Sequence, residues 1–220
     1  MTNNPIVKGK LVCVALNDSD QFEAMQAEFS EAPYKSAPTQ PVLYFKPHNT
    51  WNTEGAEIEW AITEDQPAEE MVVGASLAVV FGKECCRVSP EEALDYVGGY
   101  TLVHDFSLPE KSYYRPDIKG KCLDGSAPIG GAVVPASDIA DPQALTVVTK
   151  VNGEVVNEMP MTRTVRGVAE LISTISYIMT LQPGEVIAVA FPGNRAPVNK
   201  GDKVTSEIAG VVVLNNQLGQ

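Results

Sequence analysis

The segment between Lys111 and Lys121 concentrates positive charge in a chain that is otherwise acidic. Its sequence is KSYYRPDIKGK, so four cationic side chains stand against one carboxylate, that of Asp117. Lysine and arginine hold carboxylates through charge-assisted hydrogen bonds, and the phenols of Tyr113 and Tyr114 can add directional donors. These residue types support the binding of a small anionic metabolite. A solvated surface loop is the alternative, and composition alone favours it.

His104 and Asp105 are adjacent residues of types that serve in catalysis or metal binding. Neighbours on a β-strand point to opposite faces, so at most one of these two side chains belongs to a site. A zinc site has few other candidate ligands, because the four cysteines form no CxxC pair and His48 is the only other histidine. Carboxylates also occur in pairs, but in polar or capping contexts that favour solvation: Asp18 with Asp20, Glu57 with Glu59, Glu69 with Glu70, and Glu91 with Glu92.

The composition is that of a globular protein with a sizeable core. Of the 220 residues, 44% are hydrophobic and 20% are charged, and we expect one domain over residues 1–220. The formal net charge of −12 argues against binding to nucleic acid or to an anionic membrane. No apolar run is long enough to span a membrane, and residues 1–5 lack a signal-peptide pattern, so the sequence predicts a cytoplasmic protein with reduced thiols.

Short strands separated by turn residues dominate the pattern. Apolar and β-branched runs predict strands at residues 10–16, 42–45, 78–81, 100–106, 185–190 and 203–208. Residues 145–151 and 154–156 flank Asn152-Gly153, a dipeptide typical of a two-residue hairpin turn. The chain is therefore expected to be mostly β, with no linker and no internal repeat.

Three helices are expected between these strands. The first follows the capping-box pattern of Asp20 and Glu23. The second begins at Ser89, with proline first and glutamate third, and ends at residues 98–99, both glycines. The longest spans residues 164–180, where apolar side chains recur every three or four positions.

Two segments carry a resemblance to a known family. Residues 100–107 (YTLVHDFS) and 121–130 (KCLDGSAPIG) resemble the GYTxxxDxS strand and the KxxDxxxPxG segment of the fumarylacetoacetate hydrolase family. Shorter matches extend the similarity over nearly the whole chain, at residues 46–47, 77–83, 151–154 and 181–187. The resemblance implies an α+β class: a β-rich mixed fold with a coiled β-roll of the fumarylacetoacetate hydrolase type and a few flanking helices.

Within that family, residues 107–122 are most similar to the isomerase/decarboxylases of bacterial homoprotocatechuate (4-hydroxyphenylacetate) breakdown, in their amino-terminal half. Such enzymes act on 2-hydroxyhepta-2,4-diene-1,7-dioate and 5-oxopent-3-ene-1,2,5-tricarboxylate. They occur as a fusion of two related halves or as separate subunits. The resemblance therefore implies one half made separately, which binds a small dicarboxylate or oxo-acid and forms a homodimer or a hetero-oligomer with a sibling subunit of the same fold.

The resemblance also implies a set of site residues. Family members hold Mg²⁺ or Mn²⁺ through a Glu-x-Glu pair and a later aspartate; Asp105 matches the aspartate, while Gly74 and Ser76 stand at the glutamate positions. The His-x-x-Glu acid–base dyad of the family falls on Gln21 and Ala24. The residues that match in type are Lys121 and Asp124 as catalytic groups, and Arg115, Tyr113, Ser107 and Lys46 as substrate-binding groups.

Three functions fit these residues. The first is a metal-poor isomerase/decarboxylase subunit of aromatic-acid breakdown. The second is a non-catalytic binding or scaffold subunit that partners a metal-bearing sibling, and the third is an independent metal-dependent hydrolase or isomerase of an oxo-acid. The sequence leaves open whether the chain is an enzyme, because the metal glutamates and the acid–base dyad are missing. Their loss predicts weak binding of Mg²⁺ or Mn²⁺ by the chain alone.

Overall fold

A computed structural model describes residues 7–220, so the prediction made on residues 1–5 lies outside the described residues. The strands are β1 (Leu11–Ala15), β2 (Val42–Phe45), β3 (Trp51–Thr53), β4 (Glu57–Ile58), β5 (Ile62–Thr63), β6 (Gln66–Pro67), β7 (Met71–Phe81), β8 (Val97–Ser107), β9 (Ala127–Ile129), β10 (Val134–Pro135), β11 (Thr146–Val151), β12 (Glu154–Pro160), β13 (Val186–Ala188), β14 (Ala196–Val198), β15 (Lys203–Ile208) and β16 (Val212–Leu218). The α-helices are α1 (Ser19–Ala24), α2 (Gln26–Phe29), α3 (Ile118–Lys121) and α4 (Val168–Ile178), and short 3₁₀ turns lie at His48–Thr50, Ala93–Tyr96, Ala136–Asp138, Pro142–Ala144 and Met161–Arg163.

Strands β7 and β8 form the centre of the larger, nine-stranded sheet. Its order is β2-β1-β13-β7-β8-β9-β3, with β10 pairing to β8 and β14 to β7. Both central strands are eleven residues long, and every residue of β7 is buried. One face of the pair packs on α4 through side chains such as Leu77 and Leu102, and the opposite face, with Ala78 and Val103, forms a second apolar cluster. The long strands therefore have no solvent-facing side.

The smaller sheet contains five strands in the order β12-β11-β15-β16-β4. Strands β11 and β12 form the predicted hairpin, and Asn152 and Gly153 at its turn have φ values of 51° and 88°. Positive φ at both central residues is the requirement of a type I′ turn, which Asn-Gly meets at little cost. The strands predicted at residues 10–16, 42–45, 185–190 and 203–208 are β1, β2, β13 and β15.

His104, on β8, links the two sheets. Its ring nitrogens lie 2.8 Å from the hydroxyl of Ser206 and 3.1 Å from the amide oxygen of Asn216, on β15 and β16. Burial lowers the pKa of His104 to about 4, so the ring is neutral near pH 7. Asp105 points to the other face of the strand, as the alternation of side chains predicts.

Helix boundaries differ in part from those predicted. The N-cap of α1 is Asp18, whose carboxylate accepts the backbone N–H of Asp20, so the capping role predicted for Asp20 is wrong. Helix α4 begins at Val168 instead of residue 164, because Gly167 is extended and acts as its N-cap. None of the helices within residues 7–220 is long and apolar enough to cross a membrane.

The two glycines at residues 98–99, predicted to end a helix, lie instead at the start of β8. The segment from Ser89 forms a turn followed by the 3₁₀ turn Ala93–Tyr96. A Cβ atom on Gly98 would lie 2.9 Å from the Cα of Gly82, which is closer than real Cβ contacts come. Glycine at this position therefore serves a close approach between chain segments, a requirement that the sequence pattern could not distinguish from a helix end.

Candidate functional site

Asp105 is the centre of a buried cluster of charges. It pairs with Gly74 of β7 across the sheet, and its side chain is inaccessible to solvent. Three cations converge on the carboxylate. Lys46 Nζ lies 2.7 Å from Oδ1, and Arg195 Nη1 and Lys121 Nζ lie 2.7 Å and 3.4 Å from Oδ2. We call Asp105, Lys46, Lys121 and Arg195 the charge centre.

The two lysines of the charge centre reach it from different elements. Lys46 directly follows β2, and its buried Nζ donates to the backbone oxygen of Lys121 at 2.6 Å and to the hydroxyl of Ser126 at 3.1 Å. Lys121 is the last residue of α3, a short helix that Asp117 caps. Its Nζ also donates to the hydroxyl of Ser107 at 3.2 Å. Both ammonium groups are thus held by neutral acceptors as well as by the carboxylate.

Arg195 reaches the charge centre from the segment between β13 and β14. Its Nη1 also donates to the backbone oxygen of Asp105 at 3.3 Å, and its guanidinium carbon lies 4.9 Å from the centre of the Phe191 ring. Tyr44 completes the group, donating its hydroxyl to Asp105 Oδ2 at 2.8 Å and accepting from Arg195 Nη2 at 3.4 Å. Sequence reasoning identified this segment only as a turn. No local motif marks Arg195, because its partner lies 90 positions away.

The charges of the centre fix one another's protonation. Burial alone would raise the pKa of Asp105, but Lys121, Lys46 and Arg195 hold that pKa well below its usual value. Burial alone would lower the pKa of Arg195, but the carboxylate raises it. Burial and then the charge of Asp105 raise the pKa of Tyr44 well above its usual value. Asp105 and Arg195 therefore stay ionised, and Tyr44 stays a neutral donor.

Glu110 lies beside the charge centre and forms an ion pair with it. Its Oε2 is 3.3 Å from Lys121 Nζ. Burial raises the pKa of Glu110, an effect that the charge of Lys121 offsets only in part. Burial lowers the pKa of Lys121, and the charge of Asp105 offsets this in part. Burial thus acts against the charged form of both partners of this ion pair.

A cavity of about 560 Å³ opens against Lys121 and Glu110. Its other walls include Tyr44, Tyr113 and Arg115, together with side chains of β2. This volume lies in the range of small-molecule sites. A larger depression, of about 660 Å³, touches the charge centre only at Arg195 and is lined mainly by polar side chains of the β11–β12 turn and of residues 194–202. We place the candidate ligand in the smaller cavity, because there Lys121 and Glu110 can meet it.

Three of the predicted site residues line this cavity. Arg115 is exposed at its edge, and Lys121 is buried at its wall. Tyr113 is half-buried, and its hydroxyl accepts a hydrogen bond from Gln21 Nε2 at 2.7 Å, which leaves the phenol proton free to be donated. The family resemblance places Gln21 at the first position of the acid–base dyad, and in this structure its amide holds a tyrosine.

The other predicted residues do not line the cavity. Lys46 and Ser107 are both buried: Lys46 is part of the charge centre and pairs with Asp105, and Ser107 accepts a hydrogen bond from Lys121. Asp124 is exposed, and its carboxylate accepts a hydrogen bond from Asn49 Nδ2 at 2.6 Å. This hydrogen bond lies outside the charge centre, and the catalytic role of Asp124 stays a prediction.

The residues present do not fit a divalent metal site. Gly74 supplies no oxygen, and the hydroxyl of Ser76 is already used, since it donates to the backbone oxygen of Leu77 at 2.9 Å and accepts from Ala190 N at 3.1 Å. Within residues 7–220, no three His, Cys, Asp or Glu side chains are grouped so as to hold a metal ion. Asp105, the ligand that remains, already meets three cations. Mg²⁺ or Mn²⁺ would find one carboxylate where such ions use several oxygen ligands.

Residues 10–219 match the sequence profile of the fumarylacetoacetate (FAA) hydrolase C-terminal family. The chain belongs to this family. It is 37% identical over 210 residues to the 4-hydroxyphenylacetate degradation bifunctional isomerase/decarboxylase of Salmonella dublin, which confirms the resemblance seen in the sequence. The alignment covers 96% of this chain and 47% of that protein. The chain therefore spans about half the length of these curated relatives.

Solved structures share the fold. The 2-hydroxyhepta-2,4-diene-1,7-dioate isomerase of Mycobacterium marinum superposes with a TM-score of 0.77 at 28% identity, over 98% of this chain and 76% of the other. The fumarylpyruvate hydrolase of Pseudomonas aeruginosa, solved with Mn²⁺ and pyruvate, has a TM-score of 0.77 at 24% identity, over 97% and 90%. The predicted α+β class is confirmed as a β-rich mixed fold with a curled sheet. The family includes metal-dependent members.

Replacing Asp105 with asparagine should destabilise the fold strongly. The change keeps the shape but leaves Lys46 and Arg195 buried without a counter-charge, and breaking a buried pair in this way costs about 3–5 kcal/mol. Urea unfolding of Asp105→Asn against the parent chain measures the loss. Asp124→Asn is the matched control, since that carboxylate is exposed and should change the free energy of unfolding by only about 0.5 kcal/mol. Equal stability of the two variants would contradict the assignment.

Proposed function

We propose that this chain is a carboxylate-binding subunit of aromatic-acid catabolism, equivalent to one half of an isomerase/decarboxylase. The cavity holds one carboxylate of a small dicarboxylate or 2-oxo acid, such as 2-hydroxyhepta-2,4-diene-1,7-dioate. Lys121 and Arg115 pair with the carboxylate, and Tyr113 donates a hydrogen bond to it. In this proposal the chain assembles with a metal-bearing sibling subunit of the same fold.

The observation that carries the proposal is the pair of cationic side chains, Lys121 and Arg115, that line the cavity. Glu110 and Asp117 also line it, and behind Lys121 the buried charge centre adds two cations and one carboxylate. Cavity and charge centre together therefore hold four cations and three carboxylates, in a chain of net charge −12. Cationic side chains at a concave site attract ions of the other sign, so small carboxylates are the ligands it favours.

The pattern of kept and missing residues supports the part of the proposal that concerns a sibling. The strands and the lysines of the family are kept here, whereas the carboxylates at positions 74 and 76 and the acid–base dyad are gone. A subunit that keeps its fold and loses its metal ligands fits a role in which a second subunit of the same fold supplies the metal.

Dicarboxylate binding should depend on Arg115 and Lys121. Charge-assisted hydrogen bonds contribute about 1.5–3 kcal/mol each, so Arg115→Ala and Lys121→Ala should each raise the Kd by about tenfold or more. Titration calorimetry with 2-oxoglutarate as the probe, in the presence of EDTA, measures the affinity without any metal.

Lys119→Ala is the matched control for the lysine variant. Lys119 belongs to the same helix α3, but its side chain is 61% exposed and pairs with Glu64 on the surface. Its loss should leave the affinity unchanged. If both Arg115→Ala and Lys121→Ala fold and keep the parent affinity, the cavity is not the binding site. The segment 111–121 is then a solvated surface loop.

Co-expression with a sibling that carries the complete Glu-x-Glu pair tests the assembly. We expect the sibling to co-purify with this chain in a fixed ratio, because a half that keeps its fold also keeps the surface that meets the other half. We also expect the activity of the sibling to rise when this chain is present. A sibling that never co-purifies, and that turns over equally well alone, would leave only the binding function.

A second candidate function is proton transfer without a metal, favoured by the pairing of Glu110 with Lys121. In the isomerisation of an enol to a ketone, the carboxylate of Glu110 accepts the hydroxyl proton while the ammonium of Lys121 holds the enolate oxygen. Glu110 then returns the proton to carbon, so that no other reactant is needed. Glu110 Oε2 lies 3.3 Å from Lys121 Nζ, and burial raises the pKa of Glu110, a direction that suits a carboxyl group that takes up and returns a proton.

Replacing Glu110 with glutamine should decide between binding and proton transfer. If the chain catalyses ketonisation of 2-hydroxyhepta-2,4-diene-1,7-dioate in EDTA, Glu110→Gln should lower kcat about 100-fold or more, since an amide cannot carry the proton. The ultraviolet absorbance of the diene follows the reaction. Glu64→Gln, an exposed carboxylate that pairs with Lys119, should keep the parent rate. A parent chain that binds the dienoate but does not turn it over would exclude the enzymatic candidate.

A further inference from the structure

Arg195 lies in the space between Asp105 and Gly74, the residue at the family's first glutamate position. A Cβ atom built on Gly74 would be 3.5 Å from Arg195 Nη1 and 3.4 Å from a ring carbon of Phe191. The same Nη1 is 2.7 Å from Asp105 Oδ2. An ion held jointly by residues 74 and 105 would have to occupy this space. The guanidinium is there instead.

The balance of charges shows why an arginine can stand where family members hold a divalent ion. Loss of two glutamates removes two negative charges, and loss of one divalent ion removes two positive charges, so the two losses together are neutral. The carboxylate of Asp105 stays behind, inaccessible to solvent, with Lys46 on Oδ1 and the more distant Lys121 on Oδ2. Arg195 provides a cation that cannot diffuse away. The aromatic ring of Phe191 under the guanidinium and the hydroxyl of Tyr44 beside it fix its orientation.

We propose that Arg195 is a resident cation that stands in the place of the divalent ion, so that the charge centre of this chain is assembled without metal. Arg195 is a positioning residue: it holds Asp105 and Tyr44, and through Asp105 it fixes the ammonium of Lys121 at the cavity. Because the inference concerns only the charge centre, it is independent of the anion that the cavity binds.

The arrangement has a consequence for restoring a metal site. A glutamate introduced at position 74 would meet the guanidinium before it could meet an ion, because Arg195 Nη1 is the nearest polar atom to the new side chain. The carboxylate and Arg195 would then form an ion pair. Recovery of metal binding should therefore need two changes, the gain of the carboxylate and the loss of the arginine.

Mn²⁺ titration followed by electron paramagnetic resonance, which detects the free ion, tests this. The samples are the parent chain, Gly74→Glu, Arg195→Ala and the double variant Gly74→Glu/Arg195→Ala. We expect no binding to the parent chain at sub-millimolar Mn²⁺, and a Kd for the double variant at least tenfold below that of Gly74→Glu. One-to-one binding of sub-millimolar Mn²⁺ by the parent chain would overturn the proposal. So would a Gly74→Glu variant that binds as tightly as the double variant.

Rescue by a free cation keeps the proposal testable if the double variant does not fold. Arg195→Ala should lower the Tm, and millimolar guanidinium, far below denaturing concentrations, should restore part of the loss by occupying the vacated position. Arg166→Ala is the matched control, since Arg166 is similarly buried but its ion pair is a longer one, with Glu170 at 4.0 Å. Recovery confined to Arg195→Ala supports the proposal. A Tm that responds equally in both variants, or in neither, would overturn it.

Discussion

A carboxylate that is buried and ionised is the constraint on which the site depends. Asp105 has no access to water, and without partners its charge would be expelled or neutralised by protonation. The protein instead brings an ammonium group from the end of β2, another from the end of α3 and a guanidinium from the segment after β13. Three parts of the chain that are distant in sequence are thus tied to one point on the central strand.

The strand β8 is fixed from both of its faces by polar contacts. On one face His104 bonds with Ser206 and Asn216 of the smaller sheet, and on the other Asp105 meets the charge centre. Polar groups buried in this way contribute little net stability, but an unsatisfied partner is costly, so they select one arrangement of the sheets over alternatives. The position of Lys121 at the cavity follows from that selection, since its ammonium is held by Asp105 and Ser107.

The cationic side chains beside the cavity do not depend on a bound metal ion for their position. Positions 74 and 76, where the family resemblance places two glutamates, carry a glycine and a serine that serve packing and backbone contacts. Lys121 is held instead by Asp105 and Ser107. The chemistry of a site in this fold therefore follows from its own side chains and not from the fold alone.

The sequence by itself determined what depends on short-range pattern. The hairpin at Asn152-Gly153 follows from the φ values that this dipeptide accepts, and the strand-borne Asp105 and the lysine at 121 follow from the spacing of family motifs. The absence of carboxylates at positions 74 and 76 is also visible there. The ends of helices were predicted less well from the sequence. A glycine that allows two chain segments to approach closely has the same sequence pattern as a glycine that ends a helix.

Only the tertiary structure decided which charges meet. Arg195 and Asp105 are 90 positions apart, and nothing local marks either as the partner of the other. The same holds for Glu110, which only the fold places beside Lys121, and for Asp124, which shares a motif with Lys121 but faces solvent. The charge state and the contacts of a side chain are set by its neighbours in space. Those neighbours belong to segments that are distant in sequence and meet only in the folded protein.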